Sequence, residues 1–334
     1  MNSLLKGGRR RRRTRAWLIA LAALVLLAAG GGAAYYLLDR GSSHTARAHV
    51  SAQQLAARAR ASALRAKRQR QLAVEREGQI LMAGHSRFRV HFARPPKAGL
   101  LFDMTTGRVM WRYHPYKVVP IASLTKMMTA WIVVHRTRPD DRVRITKDAL
   151  NYRGQGVGVL PKGKRVRLET LLNGLLIVSG NDTAIALADH VAGSQRRFVN
   201  AMNRWARRLH LRCTHFADVY GLNPGSRSCA RDLAVLARLD MRSRRIRRIV
   251  RRSKVVFRFP VKSHRIWLYG HNPLMEIHYK GTIGLKTGFT DPAGRCFVGV
   301  VRRRGHTLAV VLLHSPNPAR HAPALLDRGF RYEA

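Results

Sequence analysis

The 334-residue sequence predicts an α+β protein. In it, an antiparallel sheet is flanked by helices, a helical subdomain is inserted between the first and last strands, and one transmembrane helix precedes the whole. Two observations support this prediction. From residue 96, strand-like and helix-like segments follow in the order strand pair, helices, strands, final helix. An uncharged stretch long enough to span a bilayer, residues 16–38, lies near the N-terminus.

The N-terminal stretch predicts a signal-anchor. Residues 1–15 are basic, and Trp17 and Tyr36 stand where interfacial anchors are found. Because basic residues are denser before the span than after it, we expect a cytoplasmic tail at 1–15 and an extracytoplasmic remainder. The protein would then be a single-pass protein of the cell membrane. A cleaved secretory signal, with a cleavage site near residues 46–48, is the alternative, and it also exports the chain.

The net charge favours an anionic partner. The chain holds 63 lysines and arginines against 17 acidic residues, a formal charge of +46. Anionic lipid and anionic wall polymers are therefore candidate partners. Residues 39–95, rich in alanine and arginine, predict a partly helical, solvated spacer. Nucleic acid is not expected, because the basic run at 244–254 lacks aromatic residues that could stack on bases.

The globular part begins at residue 96. Strands at 99–103 and 108–112 flank a Thr-Thr-Gly turn, and a helix begins near Ser123. Short strand-like pieces follow at 142–168. Helices are then predicted at 169–177, 183–192, 195–209 and 228–239, strands at 254–259, 264–268, 283–287, 295–301 and 307–313, and a closing helix at 319–328.

Ser123 and Lys126 stand one helical turn apart, so the hydroxyl and the amine lie on the same helix face. A lysine can take the serine proton if burial and a neighbouring cation depress its pKa. Backbone N–H groups at the helix start could bind an oxyanion. The same four residues also fit an N-cap serine followed by a solvent-exposed lysine, so this motif needs support from elsewhere.

Two further polar clusters interrupt apolar segments. Ser179-Gly180-Asn181 separates two predicted helices, where small polar residues also serve as ordinary caps. Lys286-Thr287-Gly288 ends a predicted strand. A lysine within an apolar strand requires a partner or a cleft, and the glycine permits close approach of another backbone.

In this order, Ser-x-x-Lys, Ser-x-Asn and Lys-Thr-Gly form the three-part signature of penicillin-recognising serine acyltransferases. The stretches 116–129, 176–184, 214–222 and 284–290 resemble the D-alanyl-D-alanine carboxypeptidases of peptidase family S11, the low-molecular-mass penicillin-binding proteins. The resemblance covers residues 96–334. It implies a β-lactamase/transpeptidase-like fold and a D,D-peptidase catalytic domain over that range. No cofactor is expected, and the histidine spacing predicts no metal site.

The resemblance implies a catalytic role for three residues, Ser123, Lys126 and Ser179. Ser123 attacks the carbonyl between two D-alanines and Lys126 takes its proton. Backbone N–H groups of Ser123 and Phe289 bind the oxyanion. Ser179, hydrogen-bonded to Lys126 and Lys286, passes a proton to the leaving amine.

The resemblance also assigns substrate contacts. Asn181 would hold the acyl side of the peptide, while Lys286 and Thr287 would recognise the terminal carboxylate beside Gly288. Arg320 is the candidate for the arginine that often assists the carboxylate in this family, although its spacing to the final helix departs from the family pattern.

The function implied is a serine-type D-Ala-D-Ala carboxypeptidase that trims peptidoglycan stem peptides and is inhibited by β-lactams. A D,D-endopeptidase and a β-lactamase of the same superfamily are alternatives. The β-lactamase is disfavoured because no glutamate lies between Thr170 and Met275, where class A enzymes supply one. A non-enzymatic basic scaffold that binds the wall is the alternative from another class.

Cys213 and Cys229 flank the Tyr220-Gly-Leu turn and would face an oxidising exterior, so we predict a disulfide between them. Cys296, in an apolar strand, is expected to be a buried thiol.

Overall fold

A computed structural model describes residues 52–333. These residues divide into two units, of which the first ends at Gln71 and the second begins at Leu72. The described part of the first unit, residues 52–71, is helical, and residues 53–70 are exposed. The predicted transmembrane span, residues 16–38, lies outside the described residues. Within 52–333, no helix is both long enough and apolar enough to cross a bilayer.

The secondary structure follows the predicted order. The strands are β1 (Ala98–Asp103), β2 (Val109–Tyr113), β3 (Val119–Pro120), β4 (Arg142–Arg144), β5 (Arg165–Arg167), β6 (Arg227–Ser228), β7 (Lys254–Arg258), β8 (Arg265–Tyr269), β9 (Thr282–Thr290), β10 (Gly294–Arg303) and β11 (His306–Leu313). The helices are α1 (Ala52–Gly78), α2 (Thr125–Arg136), α3 (Lys147–Asn151), α4 (Leu168–Asn173), α5 (Asn181–Ala192), α6 (Gln195–Arg208), α7 (Ala230–Arg242), α8 (Arg244–Val250), α9 (Pro273–Glu276) and α10 (Pro318–Tyr332). The short helices α3, α8 and α9 were not predicted.

The antiparallel sheet with an inserted helical part is confirmed. Five strands pair in the order β2-β1-β11-β10-β9, and every neighbouring pair is antiparallel. Strand β1 is buried along its whole length, because helices cover both sheet faces. On one face Leu101 and Val310 pack with Leu325 of α10. On the other, Leu100 and Val311 belong to the larger core, which includes residues of α2 and α7.

Residues 72–95, which the sequence placed in the spacer, are part of the second unit. Ile80 is buried in the core, and the Phe92 ring packs against Trp111 and His321. The buried guanidinium of Arg238 donates to three backbone carbonyls, two of them in the β1–β2 turn and one just after α1. A few apolar residues therefore fix a segment whose overall composition is that of a solvated linker.

Cys213 and Cys229 are joined by a disulfide with a Cα–Cα distance of 5.6 Å. It closes the segment between α6 and α7. Cys296 is a free, buried thiol, and burial raises its pKa to about 11, which leaves it unreactive at neutral pH.

Removal of this disulfide by Cys213→Ser with Cys229→Ser should lower the free energy of unfolding by about 3 kcal/mol, because the cross-link restricts a short loop of the unfolded chain. Urea unfolding of the full chain would measure the change. Wild-type protein treated with reductant should match the double variant. An unchanged unfolding midpoint in both samples would contradict the prediction.

Candidate active site

A cleft of about 630 Å³ lies where the β9 edge of the sheet meets the helical part. Residues from all three sequence motifs line it: Ser123, Ser179, Thr287, Gly288 and Phe289. The three clusters, distant in sequence, are therefore brought together in one place.

Ser123 lies in a tight 3-10 turn, Ala122–Leu124, directly before α2. Ala122 has a positive φ of 47°, so the turn departs from the simple helix start expected from sequence. Lys126 follows in the first turn of α2, and its Nζ lies 2.8 Å from Ser123 Oγ. The predicted meeting of hydroxyl and amine is present.

Lys126 is fully buried, and its amine has three partners. Besides Ser123 Oγ, it donates to Asn181 Oδ1 at 2.6 Å and to the Tyr220 carbonyl at 2.8 Å. A neutral amine has two N–H groups and one lone pair. When both N–H groups bind these carbonyl oxygens, the lone pair is left for the Ser123 hydroxyl, which is the arrangement that a general base needs.

Burial lowers the pKa of Lys126 well below its ordinary value, and the nearby Lys286 lowers it further. The carboxylates of Asp218 and Asp182 act in the opposite direction but do not reverse the shift. Both causes favour the neutral amine, so the electrostatics agree with the hydrogen-bond geometry.

Asn181 begins α5 and is almost completely buried. Its Oδ1 accepts from Lys126, and its Nδ2 donates to the hydroxyl of Tyr152 at 2.7 Å. Both ends of the amide are therefore occupied, and this arrangement supports a role in orienting Lys126.

Ser179 stands at a break between helices. A π-helical turn, Gly174–Val178, replaces the end of the single helix predicted at 169–177, and Ser179 itself adopts a left-handed conformation with φ 66°. Its Oγ accepts from Lys286 Nζ at 2.9 Å. The expected hydrogen bond from Lys126 to Ser179 is not formed among the described residues, because the Lys126 partners are Ser123, Asn181 and Tyr220.

Lys286 is buried in β9, and its ammonium also donates to the Thr287 carbonyl at 2.8 Å. Burial lowers its pKa to about 7. It does not line the main cleft, whereas Thr287 does.

Gly288 brings β9 against the nucleophile. A Cβ at this position would stand 2.9 Å from the backbone nitrogen of Ser123, closer than real Cβ atoms come. Only glycine permits this approach, which a shared oxyanion site formed by the N–H groups of Ser123 and Phe289 requires.

The Tyr220-Gly-Leu turn, to which the sequence analysis assigned no role at the site, supplies the Tyr220 carbonyl. The Asp218 carboxylate accepts from the backbone N–H groups of Tyr220, Gly221 and Asn223, and Thr129 donates to the Val219 carbonyl at 2.7 Å. The signal in the sequence was an aspartate three residues before a glycine, which is typical of turns.

Two arginines differ in their relation to the cleft. Arg295 of β10 lines it, and its Nη1 donates to the Pro316 carbonyl at 3.3 Å. Arg320, the sequence candidate, is an exposed residue in the first turn of α10 and is not among the lining residues. Gln155, His271 and Asn317 also line the cleft.

Within residues 52–333, Cys213, Cys229 and Asp232 form a group with metal-ligand chemistry. The two sulfurs are bonded to each other, and Asp232 accepts hydrogen bonds from Cys213 N and Thr214 Oγ1. The disulfide and these hydrogen bonds account for the close contact of the three residues.

The family model for D-alanyl-D-alanine carboxypeptidases of type S11 matches residues 93–317. The chain belongs to peptidase family S11. Over 229 residues this S11 chain is 35% identical to the D-alanyl-D-alanine carboxypeptidase DacD of Escherichia coli K12, a match that covers 64% of this chain and 57% of DacD. The chain thus spans little more than half the length of that relative.

Two other similar proteins extend the comparison. A D-alanyl-D-alanine endopeptidase of Pseudomonas aeruginosa is 33% identical over 224 residues, which cover 61% of this chain and 70% of the relative. The crystal structure of a D-alanyl-D-alanine carboxypeptidase from Mycobacterium tuberculosis matches with a TM-score of 0.68 at 27% identity, covering 75% of this chain and 96% of that one. The penicillin-binding, transpeptidase-like fold predicted from the motifs is therefore confirmed.

Proposed function

We propose that this S11 chain is a serine-type D-Ala-D-Ala carboxypeptidase that removes the terminal D-alanine of peptidoglycan stem peptides. The observation that supports it most strongly is the 2.8 Å contact between Ser123 Oγ and the buried Lys126 amine, at a cleft that Thr287 also lines.

The first half-reaction acylates Ser123. Lys126 Nζ takes the hydroxyl proton while Oγ attacks the carbonyl carbon of the penultimate D-alanine. Backbone N–H groups of Ser123 and Phe289 stabilise the oxyanion. The peptide C–N bond then breaks, and the leaving amine receives a proton from Ser179, which Lys286 holds at 2.9 Å. The proton that Lys126 took from Ser123 replaces the one lost by Ser179, so Lys126 is neutral again.

The second half-reaction hydrolyses the ester and regenerates the free enzyme. Water adds to the ester carbonyl and gives a proton to the neutral Lys126 amine. The bond between the acyl carbon and Ser123 Oγ then breaks, Oγ takes that proton from Lys126, and the stem peptide leaves one residue shorter. A β-lactam forms the same ester but keeps its leaving group attached, so water attacks slowly.

The test of this function uses the full chain in detergent with fluorescent penicillin and with a peptide ending in D-Ala-D-Ala. We expect a covalent adduct stable for minutes that maps to Ser123 by mass spectrometry, together with release of free D-alanine. Label that disappears within seconds would indicate a β-lactamase instead. Absence of both adduct and D-alanine from folded protein would support the non-enzymatic scaffold.

The carboxylate of the leaving D-alanine requires a donor or a cation in the cleft. Thr287 lines the cleft, whereas Lys286 is buried and engaged with Ser179. Arg295 lines the same cleft and carries a permanent charge. We therefore assign carboxylate recognition to Thr287 and Arg295, and leave Arg320 without a substrate contact.

Arg295→Gln should raise KM for a D-Ala-D-Ala peptide about tenfold with little change in kcat, since a charge-assisted hydrogen bond is worth roughly 1.5 kcal/mol. Arg320→Gln is the matched control and should be neutral. A peptide whose terminal carboxylate is amidated should not distinguish Arg295→Gln from wild type. Loss of affinity in Arg320→Gln alone would reverse the assignment.

Endopeptidase activity is the second candidate, and the relative in Pseudomonas aeruginosa named as an endopeptidase favours it. Digestion of a cross-linked muropeptide dimer separates the two. Release of D-alanine from pentapeptides without dimer cleavage would identify a carboxypeptidase.

The setting that we propose is the outer face of the cell membrane, with residues 16–38 as the anchor and residues 1–15 in the cytoplasm. Partners are then the membrane, peptidoglycan and anionic wall polymers. The formal charge of +46 supports the membrane and the anionic wall polymers as partners, because both carry negative charge.

A further inference from the structure

Strands β7 and β8 form a two-stranded ribbon that stands apart from the main sheet. One side of the ribbon packs on the core through Ile266 and Leu268. The other side, here called the hairpin face, points to solvent and consists of the residues Lys254, Val256, Arg258, Arg265, Trp267 and Tyr269.

The hairpin face exposes large apolar groups between cations. Trp267 is 47% exposed and Tyr269 is 56% exposed. In the strand register Lys254 stands opposite Tyr269, Val256 opposite Trp267, and Arg258 opposite Arg265. Exposed aromatic residues clustered with arginine are typical of binding surfaces.

The surroundings of the ribbon are basic. No aspartate or glutamate occurs from Met241 to Met275. Helix α8, which directly precedes the ribbon, exposes Arg244, Arg247 and Arg248. This surface is therefore complementary to an extended anionic ligand.

The hairpin face is continuous with the catalytic cleft. Tyr269 ends β8, Gly270 lies against Ile177, and His271 follows. Both Ile177 and His271 line the cleft. A substrate that extends from the cleft on this side therefore meets the ribbon at its Tyr269 end.

We propose that the hairpin face binds the glycan strand of polymeric substrate beside the stem peptide held in the cleft, an inference that rests on the proposed function. Sugar rings pack on Trp267 and Tyr269, and carboxylates of neighbouring stem peptides pair with Lys254, Arg258 and Arg265. A lipid bilayer bound to the hairpin face would block the side from which the polymer enters the cleft. The position of the hairpin face beside the cleft therefore favours a glycan ligand over a lipid surface.

The test compares two substrates of the full chain in detergent: a short peptide ending in D-Ala-D-Ala, and soluble uncross-linked peptidoglycan strands with pentapeptide stems. Trp267→Ala with Tyr269→Ala should lower kcat/KM on strands about tenfold and leave the short peptide within about twofold. Lys254→Gln with Arg258→Gln and Arg265→Gln should act similarly and weaken the salt dependence.

The matched control is Arg196→Gln with Arg204→Gln and Arg207→Gln, which removes the same charge from exposed positions of α6. Equal loss in this control, equal loss on both substrates, or no loss on strands would each overturn the proposal. Co-sedimentation of the same variants with insoluble peptidoglycan, in a Ser123→Ala background, measures binding without catalysis. A chain that binds peptidoglycan through the hairpin face but hydrolyses neither substrate would refute the proposed function and keep this inference.

A probe on the ribbon separates glycan from membrane. In Tyr269→Cys, a thiol-reactive, environment-sensitive dye should label only the new cysteine, because Cys296 is buried and the other two form a disulfide. We expect an emission shift with peptidoglycan strands. A shift of equal or larger size with phosphatidylglycerol vesicles would assign the face to the membrane and overturn the proposal.

Discussion

Replacing Lys126 by methionine should lower the rate constant for acylation of Ser123 by penicillin about 10⁴-fold, the upper end of the contribution of a general base. Methionine fills much of the same buried space but cannot accept a proton. It also leaves Asn181 Oδ1 and the Tyr220 carbonyl without their donor. Stopped-flow acylation with a fluorescent penicillin would measure the change.

The pH dependence identifies the base. The neutral amine is the active form, so the wild-type acylation rate should rise with pH through the Lys126 pKa, at a pH well below 10.5, and then level off. Lys286→Gln removes a neighbouring positive charge, which raises the Lys126 pKa and moves the rise to higher pH. In Lys126→Met the rise should disappear.

The control for charge is Lys126→Arg, which keeps a cation that cannot act as a base at neutral pH. Thermal unfolding would confirm that each variant is folded. An arginine variant with near wild-type acylation would mean that Lys126 acts only through its charge, and would remove the general-base role.

Gly221→Ala should lower the free energy of unfolding by roughly 3 kcal/mol and reduce acylation strongly. Gly221 has φ of +93°, and a Cβ there would collide with the Ala122 carbonyl of the nucleophile turn. Relief of the collision moves the Tyr220 carbonyl away from Lys126. A displacement of about 1 Å in such a group can cost about 100-fold in rate.

Gly305→Ala is the matched control, because this glycine has φ of +83° with nothing near its added Cβ. It should cost about 1 kcal/mol from backbone strain and leave acylation unchanged. Urea unfolding and penicillin labelling of both variants give the comparison. Equal stability losses, or full activity in Gly221→Ala, would show that the close approach to Ala122 does not matter.

Much of the fold was predictable because its signals are local. Short apolar runs bounded by turn residues predicted β10 and β11, and the Ser-x-x-Lys spacing predicted the meeting of Ser123 with Lys126. The order of strands and helices implied the sheet and its insertion.

The remaining features depend on contacts between segments distant in sequence. The Tyr220 carbonyl accepts a hydrogen bond from Lys126 only because the turn at Asp218 packs against Ala122. No sequence pattern near residue 220 predicts that contact. The sequence around Arg295 is that of an ordinary strand, and only the position of β10 beside the cleft gives this residue a place at the site. The π-helical turn before Ser179 has a spacing of apolar residues that cannot be distinguished in the sequence from that of an α-helix. The packing of Ile80 and Phe92 on the folded unit also depends on distant partners, because the arginine-rich composition around these residues is that of a solvated spacer.

The position of the cleft has a mechanical consequence. Ser123 and Ser179 belong to the helical layer, whereas Thr287 belongs to the sheet edge. With the residue roles that we propose, a penicilloyl group bonded to Ser123 and held by Thr287 would bridge the two layers. A ligand that contacts only the native arrangement disfavours its opening, and this one cannot dissociate until the ester is cleaved. The inhibited enzyme should therefore resist heat and proteases better than the active one, and a β-lactam that stops the reaction also preserves the protein.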